Sequence, residues 1–230
     1  MMRVLIALLA LLMLVLPAAL AARWTGAAEQ RLAAAEAARK DQPQVAVAAH
    51  ANESYCTPDL KRILRRVLQS CGLLNAGGRG CQPADARSVA TMSGDDFNAL
   101  FVPMRDRGGI VQYEKASAEL DPQDETLVDR LFADRRGASY FLVVARASPE
   151  GSEKTNRELS RERAEVVLTH LQETFEDPEL ARQVGLLWLG EEFAQLDPSF
   201  CDWKRSGGEA GCSPDDLNRS AFVTWIDCTL

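Results

Sequence analysis

The stretch "SYFLVVARA" (139–147), joined without a break to the polar "SPEGSEKTNRELSRERA" (148–164), constrains the fold more than any other part of the chain. A run this apolar is a strand buried on both faces, which calls for helices on each side of a sheet. The residues after it carry a helical period. With Leu159 set at zero and about 100° per residue, Val166, Val167, Leu171, Ala164, Phe175 and Leu168 cover an arc from about −20° to 180°. Arg163 falls at about 40°, inside that arc, with His170 beside it at about 20°. An arginine there has three outlets: it snorkels to the rim of the sheet, meets a buried carboxylate, or meets an anionic ligand near the helix start. The loop 148–155 joins the C-terminal end of a buried strand to a helix N-terminus, where α/β architectures commonly place ligands.

The pattern extends on both sides. "GIVQYE" (109–114) reads as a strand, "DPQDETLVDRLFADRR" (121–136) as a capped amphipathic helix, and 156–175 as the long helix. "QVGLLWLG" (183–190) and, after a cysteine-containing excursion, "RSAFVTWID" (219–227) read as strands. The order β-α-β-α-β…β over 106–230 predicts an α/β-class fold of the α+β sandwich kind, a mixed β-sheet packed by helices. Residues 52–105 read as a small helical cysteine-containing unit ahead of it. In "TPDLKRILRRVLQSCGLL", Thr57 is an N-cap, Pro58 the first helical residue, and Leu60, Ile63, Leu64, Val67 and Leu68 the apolar face. Lys61, Arg62, Arg65 and Arg66 occupy the other face, which a solvated surface explains more simply than an anionic partner. "NAGGRG" is a loop, and a second short helix starts at Ser93 and stops before Pro103.

Residues 1–21 carry the marks of an export segment: "MMR", the apolar "VLIALLALLMLVL" (4–16), Pro17, and "ALA" (19–21) for cleavage near Ala21. The competing reading is an uncleaved membrane anchor over 4–22, the one part of the chain expected to touch a membrane. Either way the remainder lies outside the cytoplasm. Residues 22–51 form an Ala-rich spacer. Six cysteines, Cys56, Cys71, Cys81, Cys201, Cys212 and Cys228, then point to disulfides. Cys201 and Cys212 flank a polar Gly-rich loop and form the simplest bridge, which leaves Cys228 to one of the three N-terminal cysteines. No C-x-x-C pair occurs, and His50 and His170 lie near no cysteine, so no metal or other cofactor is expected. A net charge of −7 argues against nucleic acid. No Ser-His-Asp or Cys-His set appears at credible sites, and "SGDDF" is more simply a helix N-terminus, so an enzyme is not expected.

The segment 145–164 resembles the core motif of the OmpA-like peptidoglycan-binding domain, G-x-x-D-x-x-G-x-x-x-x-N-x-x-L-S-x-x-R-A. In that register stand Ala145, Ser148, Gly151, Asn156, Leu159, Ser160, Arg163 and Ala164, six of the eight in agreement. Upstream, "GIVQYEKASAELDPQDETLVDRL" is similar to the family's first strand, loop and helix opening, and "NRSAFVTW" (218–225) to its final N-R-R strand. The resemblance implies a noncatalytic module that grips the diaminopimelate of a peptidoglycan stem peptide. In the family the motif Arg pairs with the ligand carboxylate and the motif Asp takes its ammonium. Carried over, the site is Ser148, Gly151, Asn156, Arg163 and Arg219, with Ser148 in place of the Asp and Ser220 in place of the last strand's second arginine. Losing a charge-assisted hydrogen bond costs on the order of 1–3 kcal/mol, unless Glu150 or Glu153 supplies the carboxylate. The resemblance implies an exported envelope protein of the periplasm of a Gram-negative-type bacterium, anchored or localised to the cell wall. The alternative is a degenerate OmpA-like domain kept as a platform for other envelope proteins, with 52–105 as its specific part.

Overall fold

Short apolar runs, separated by polar segments that carry Gly and Pro, set the element order. The computed structural model describes residues 54–70, 82–135, 138–177, 180–208 and 212–230. The elements are α1 (Pro58–Ser70), β1 (Ala84–Asp85), α2 (Ala86–Val89), α3 (Gly94–Ala99), β2 (Gly108–Gln112), α4 (Pro122–Ala133), β3 (Tyr140–Ala145), α5 (Glu153–Phe175), β4 (Val184–Trp188), α6 (Pro214–Asn218) and β5 (Ser220–Ile226). Short 3-10 turns cover Val102–Met104, Leu180–Arg182 and Pro198–Asp202. The expected signal peptide or anchor, the Ala-rich spacer, the "NAGGRG" loop, Cys71 and Cys81 lie outside the described residues.

The sheet is mixed, in the order β1-β4-β3-β5-β2. β1, β4 and β3 run parallel, and β5 lies antiparallel between β3 and β2. β3 is central: Val143 stands opposite Leu186 on one side and Val223 on the other. Successive side chains of a strand point to opposite faces, and here both faces are covered. Leu142 and Val144 join Leu60, Ile63 and Leu64 of α1 and Phe97 of α3. Phe141, Val143 and Ala145 join Leu127 of α4 and Val167 and Leu171 of α5. That two-sided burial is why the strand reads as a continuous apolar run rather than an alternating one. In β2, a Cβ added at Gly108 would meet the Phe222 ring at 2.6 Å, so only glycine lets this edge strand close on β5.

Caps decide where the helices begin. α4 has Pro122 after Asp121, whose side chain accepts from the Gln123 and Asp124 amides while Asp124 reaches back to the Asp121 amide. α5 starts at Glu153, three residues before the expected Asn156, because the Ser152 side chain accepts from the Thr155 amide. α1 and α3 begin as expected, under Thr57 and Ser93. Residues 54–70 and 82–104 supply one layer of a shared core, and the described residues all belong to one compact unit. Among the described residues two disulfides pin it: Cys56 bonds Cys228 (Cα–Cα 5.6 Å) and Cys201 bonds Cys212 (5.7 Å). The Cys228 partner, which the sequence left open, is therefore Cys56. Asn218 fastens the excursion before β5, accepting from the Leu196 amide at 2.7 Å and donating to the Leu196 carbonyl at 3.0 Å. Among the described residues, no helix is long and apolar enough to cross a membrane, and no group of three His, Cys, Asp or Glu could hold a metal ion.

Candidate functional site

Arg163 projects from the inner face of α5 and is fully buried. Its guanidinium meets none of the three expected outlets first. It donates instead to three backbone carbonyls: Nε to Ser117 at 2.9 Å, Nη1 to Arg146 at 3.0 Å, and Nη2 to Glu114 at 3.3 Å. The Tyr113 ring lies under it, 4.9 Å from Cζ to the centroid, and the Tyr113 hydroxyl donates to the Arg163 carbonyl at 3.0 Å. One side chain thus ties the loop after β2 to the end of β3. Carbonyl dipoles satisfy donors but do not cancel a charge. Burial accordingly lowers the Arg163 pKa to about 10; Tyr113 opposes the shift and the neighbouring Arg219 adds to it. The group stays cationic at neutral pH. A guanidinium has five N–H donors; three are engaged here, which leaves one on each Nη for a further acceptor.

The loop between β3 and α5 is held in a fixed shape. The Asn156 amide nitrogen donates to the carbonyls of Ser148 (3.0 Å) and Glu150 (3.1 Å) and to the Glu191 carboxylate. Gly151 turns the chain at φ 112°, a conformation that side-chain-bearing residues rarely adopt. Asn156 and Gly151 therefore shape the loop from behind.

The Ser148 hydroxyl, at the position where the motif has Asp, donates to Glu150 Oε2 at 3.3 Å. Glu150 also accepts from Lys115 Nζ at 2.5 Å and from Arg219 Nη1 at 2.9 Å. The Lys115 contact, opposed by desolvation and joined by those of Arg219 and Ser148, holds the Glu150 carboxyl below its ordinary range. So a carboxylate does stand beside Ser148, supplied from two residues further on. Glu153, the other candidate substitute, turns away to Arg157 and Arg87. Arg219 reaches the site from the end of α6 and is paired on its other side with Asp216.

These side chains line one pocket of about 290 Å³. All five residues named from the sequence border it: Ser148, Gly151, Asn156, Arg163 and Arg219. Lys115 completes the wall. It has no signal in the sequence, because a lone lysine in the loop after β2 carries no pattern. The charged lining is Lys115, Arg163 and Arg219 against Glu150, three cations and one carboxylate. A pocket with that excess suits a ligand bearing a carboxylate. Lys115 is 69% exposed in its side chain, so its pair with Glu150 is one that a ligand cation can displace at little cost.

No protein-family model matches the chain, and no curated protein matches it. Among solved structures it is similar to the peptidoglycan-associated lipoprotein of Burkholderia pseudomallei, at 18% identity over 50% of this chain and 88% of that one, with a TM-score of 0.36. It is similar to the OmpA-like domain of FopA1 from Francisella tularensis subsp. tularensis SCHU S4, at 16% identity over 50% and 68%, TM-score 0.36. A putative MotB like protein from Desulfovibrio vulgaris gives 21% identity over 51% and 68%, TM-score 0.34. At TM-scores this low the likenesses leave family and function open.

Proposed function

We propose that the chain is an exported, noncatalytic envelope protein that binds peptidoglycan, gripping a diaminopimelate-type group of the stem peptide in the pocket between α5 and the loops after β2 and β3. The observation that carries this reading is the pairing of opposites in one pocket. Arg163 is a buried cation with two N–H donors to spare, and Glu150 is a carboxylate held ionised beside Ser148. A group with a carboxylate and an ammonium on one carbon fits that pair: the carboxylate at Arg163, the ammonium at Glu150 in exchange for Lys115. Residues 1–21 support export, as a cleaved signal or as an anchor. The test is a pull-down of the soluble chain on purified sacculi with and without free diaminopimelate. Binding that free diaminopimelate competes away supports the reading, and no binding removes it.

One observation favours a second reading, a protein-interaction platform without cell-wall binding. Ser220, where the family's second arginine would stand, is fully buried, and its hydroxyl donates to the Leu217 carbonyl. That half of the family's site is closed over. On this reading sacculi capture nothing, and the layer formed by residues 54–70 and 82–104 carries the contact with another envelope protein.

A further inference from the structure

β3 ends at Ala145, and the alternation of the strand sends the next side chain, Arg146, toward the face where Leu142 and Val144 lie, away from α5. Arg146 is 2% exposed. Its surroundings are apolar: Phe101, Leu196, Phe200, Trp203 and Phe222 wall the space its guanidinium faces, with Asn98 at one side. Nε and Nη1 have no hydrogen-bond partner, and no described ion pair includes Arg146. Burial alone, with no acidic side chain to offset it, lowers its pKa to about 9, so the cation persists at neutral pH. Arg163, by contrast, has three carbonyls. A buried cation with neither a counter-charge nor acceptors for two of its nitrogens is costly, and such a group calls for an occupant.

The space measures about 10 Å³, which is close to one water-sized sphere. That size excludes a peptide, a sugar or a phosphate. Two occupants fit it: a water, or an anion of halide size. A water could accept from Nη1 and donate to Asn98 Oδ1, which also lacks a partner. It would leave the net charge standing among aromatic rings. Nε–H and Nη1 lie on opposite sides of the guanidinium, so a monovalent anion accepts from one of them, and unlike water it cancels the charge as well.

We propose that Arg146 holds a halide-sized monovalent anion, chloride in the cell, in the aromatic-walled cavity on the face of the sheet opposite Arg163. The anion is then a structural ligand that fixes Arg146, the residue just after β3, whose carbonyl accepts from Arg163. This inference rests on residues outside the peptidoglycan pocket and stands or falls apart from it.

The experiment compares thermal unfolding of the chain in sodium chloride, sodium bromide and sodium gluconate at equal ionic strength, for wild type and Arg146→Gln. A saturable rise in Tm of about 4 °C or more in the halides is expected, from binding to the native state alone. Gluconate, too large for the cavity, gives no rise, and Arg146→Gln loses the halide effect. Wild-type crystals soaked in bromide provide a second measurement that does not depend on the variant folding: an anomalous peak in the cavity beside the Arg146 guanidinium. Equal Tm in halide and gluconate, a halide effect retained by Arg146→Gln, or no bromide peak at Arg146 would each overturn the proposal.

Discussion

Arg163 Nη1 donates to the Arg146 carbonyl at 3.0 Å, so the arginine of the pocket is held by the backbone of a second buried arginine whose side chain faces the other way. Arg163 therefore has two roles at once. It fastens Glu114, Ser117 and Arg146 together, and on the function proposed above its two remaining N–H groups serve the ligand.

The first prediction separates these roles. Arg163→Ala strips three carbonyls of their donor, that of Arg146 buried and those of Glu114 and Ser117 partly so, and opens a cavity beside Tyr113. It should lower stability by about 2–5 kcal/mol, or Tm by roughly 5–15 °C. Loss of binding in that variant alone proves little. Arg163→Lys keeps the charge without the fork, so it should lower Tm less while weakening sacculus binding about tenfold or more. Calorimetry and sacculus pull-down on both variants check this. Lysine binding at wild-type strength would refute the bidentate role.

Glu150 should carry the ammonium contact that Ser148 cannot. Glu150→Gln should weaken binding roughly tenfold or more, the usual effect of losing a charge-assisted hydrogen bond. Moving the charge back to the motif position, in Ser148→Asp with Glu150→Gln, should recover most of it. Titration of the stem peptide against the three proteins reads this directly, and a double variant no better than Glu150→Gln counts against it.

Lys115 tests the exchange from the other side. Because its pair with Glu150 is exposed, Lys115→Ala should leave Tm within about 1–2 °C of wild type. Ligand affinity should stay equal or rise by a few fold, since the ammonium no longer has to displace a lysine. A tenfold loss of affinity would instead mark Lys115 as a ligand contact.

Much of this arrangement was legible in the sequence, for physical reasons that also explain what was not. The two-sided burial of β3 and the caps of α1, α3 and α4 are local features, written in consecutive residues. The position of Arg163 inside the apolar arc of α5 is local too, and it is buried as that arc implies. Its partners are not local: Glu114 and Ser117 lie 49 and 46 residues away, and they act through carbonyls that any residue possesses. No side-chain pattern can announce them. β1, with two residues, and α6, with five, are too short to show a period. The first turn of α5 is polar and so extends no apolar arc; Ser152 caps it, while Asn156, the expected start, braces the loop with its side chain.

On the proposed function, the pH dependence of binding should come from Glu150. Its carboxyl is depressed in the folded chain, so the charge it contributes is fully present above the ordinary glutamate range, about pH 4.3. That contribution is lost only as pH falls further, through the lowered folded value. Binding should hold level from pH 7 down to about pH 5 and decline below the ordinary range. In Glu150→Gln this dependence should vanish, as isothermal titration across that range can establish.

The disulfides should differ in weight. Cys56–Cys228 spans 172 residues and Cys201–Cys212 spans 11. In the chain-entropy model these correspond to about 5 and about 3 kcal/mol. Cys56→Ser with Cys228→Ser should therefore lower Tm more than Cys201→Ser with Cys212→Ser, measured by thermal unfolding; the reverse order would show that strand-end packing, not loop closure, dominates.

The central claim is that one pocket reads a carboxylate through Arg163 and an ammonium through Glu150. Its most direct measurement is calorimetric titration of a diaminopimelate-containing stem tripeptide against the wild-type chain, paired with the analogue in which that side chain has lost its terminal carboxylate and keeps its amine. The account predicts saturable binding of the first and a loss of about tenfold or more with the second. Equal affinity for both peptides, or no heat from either, would contradict it.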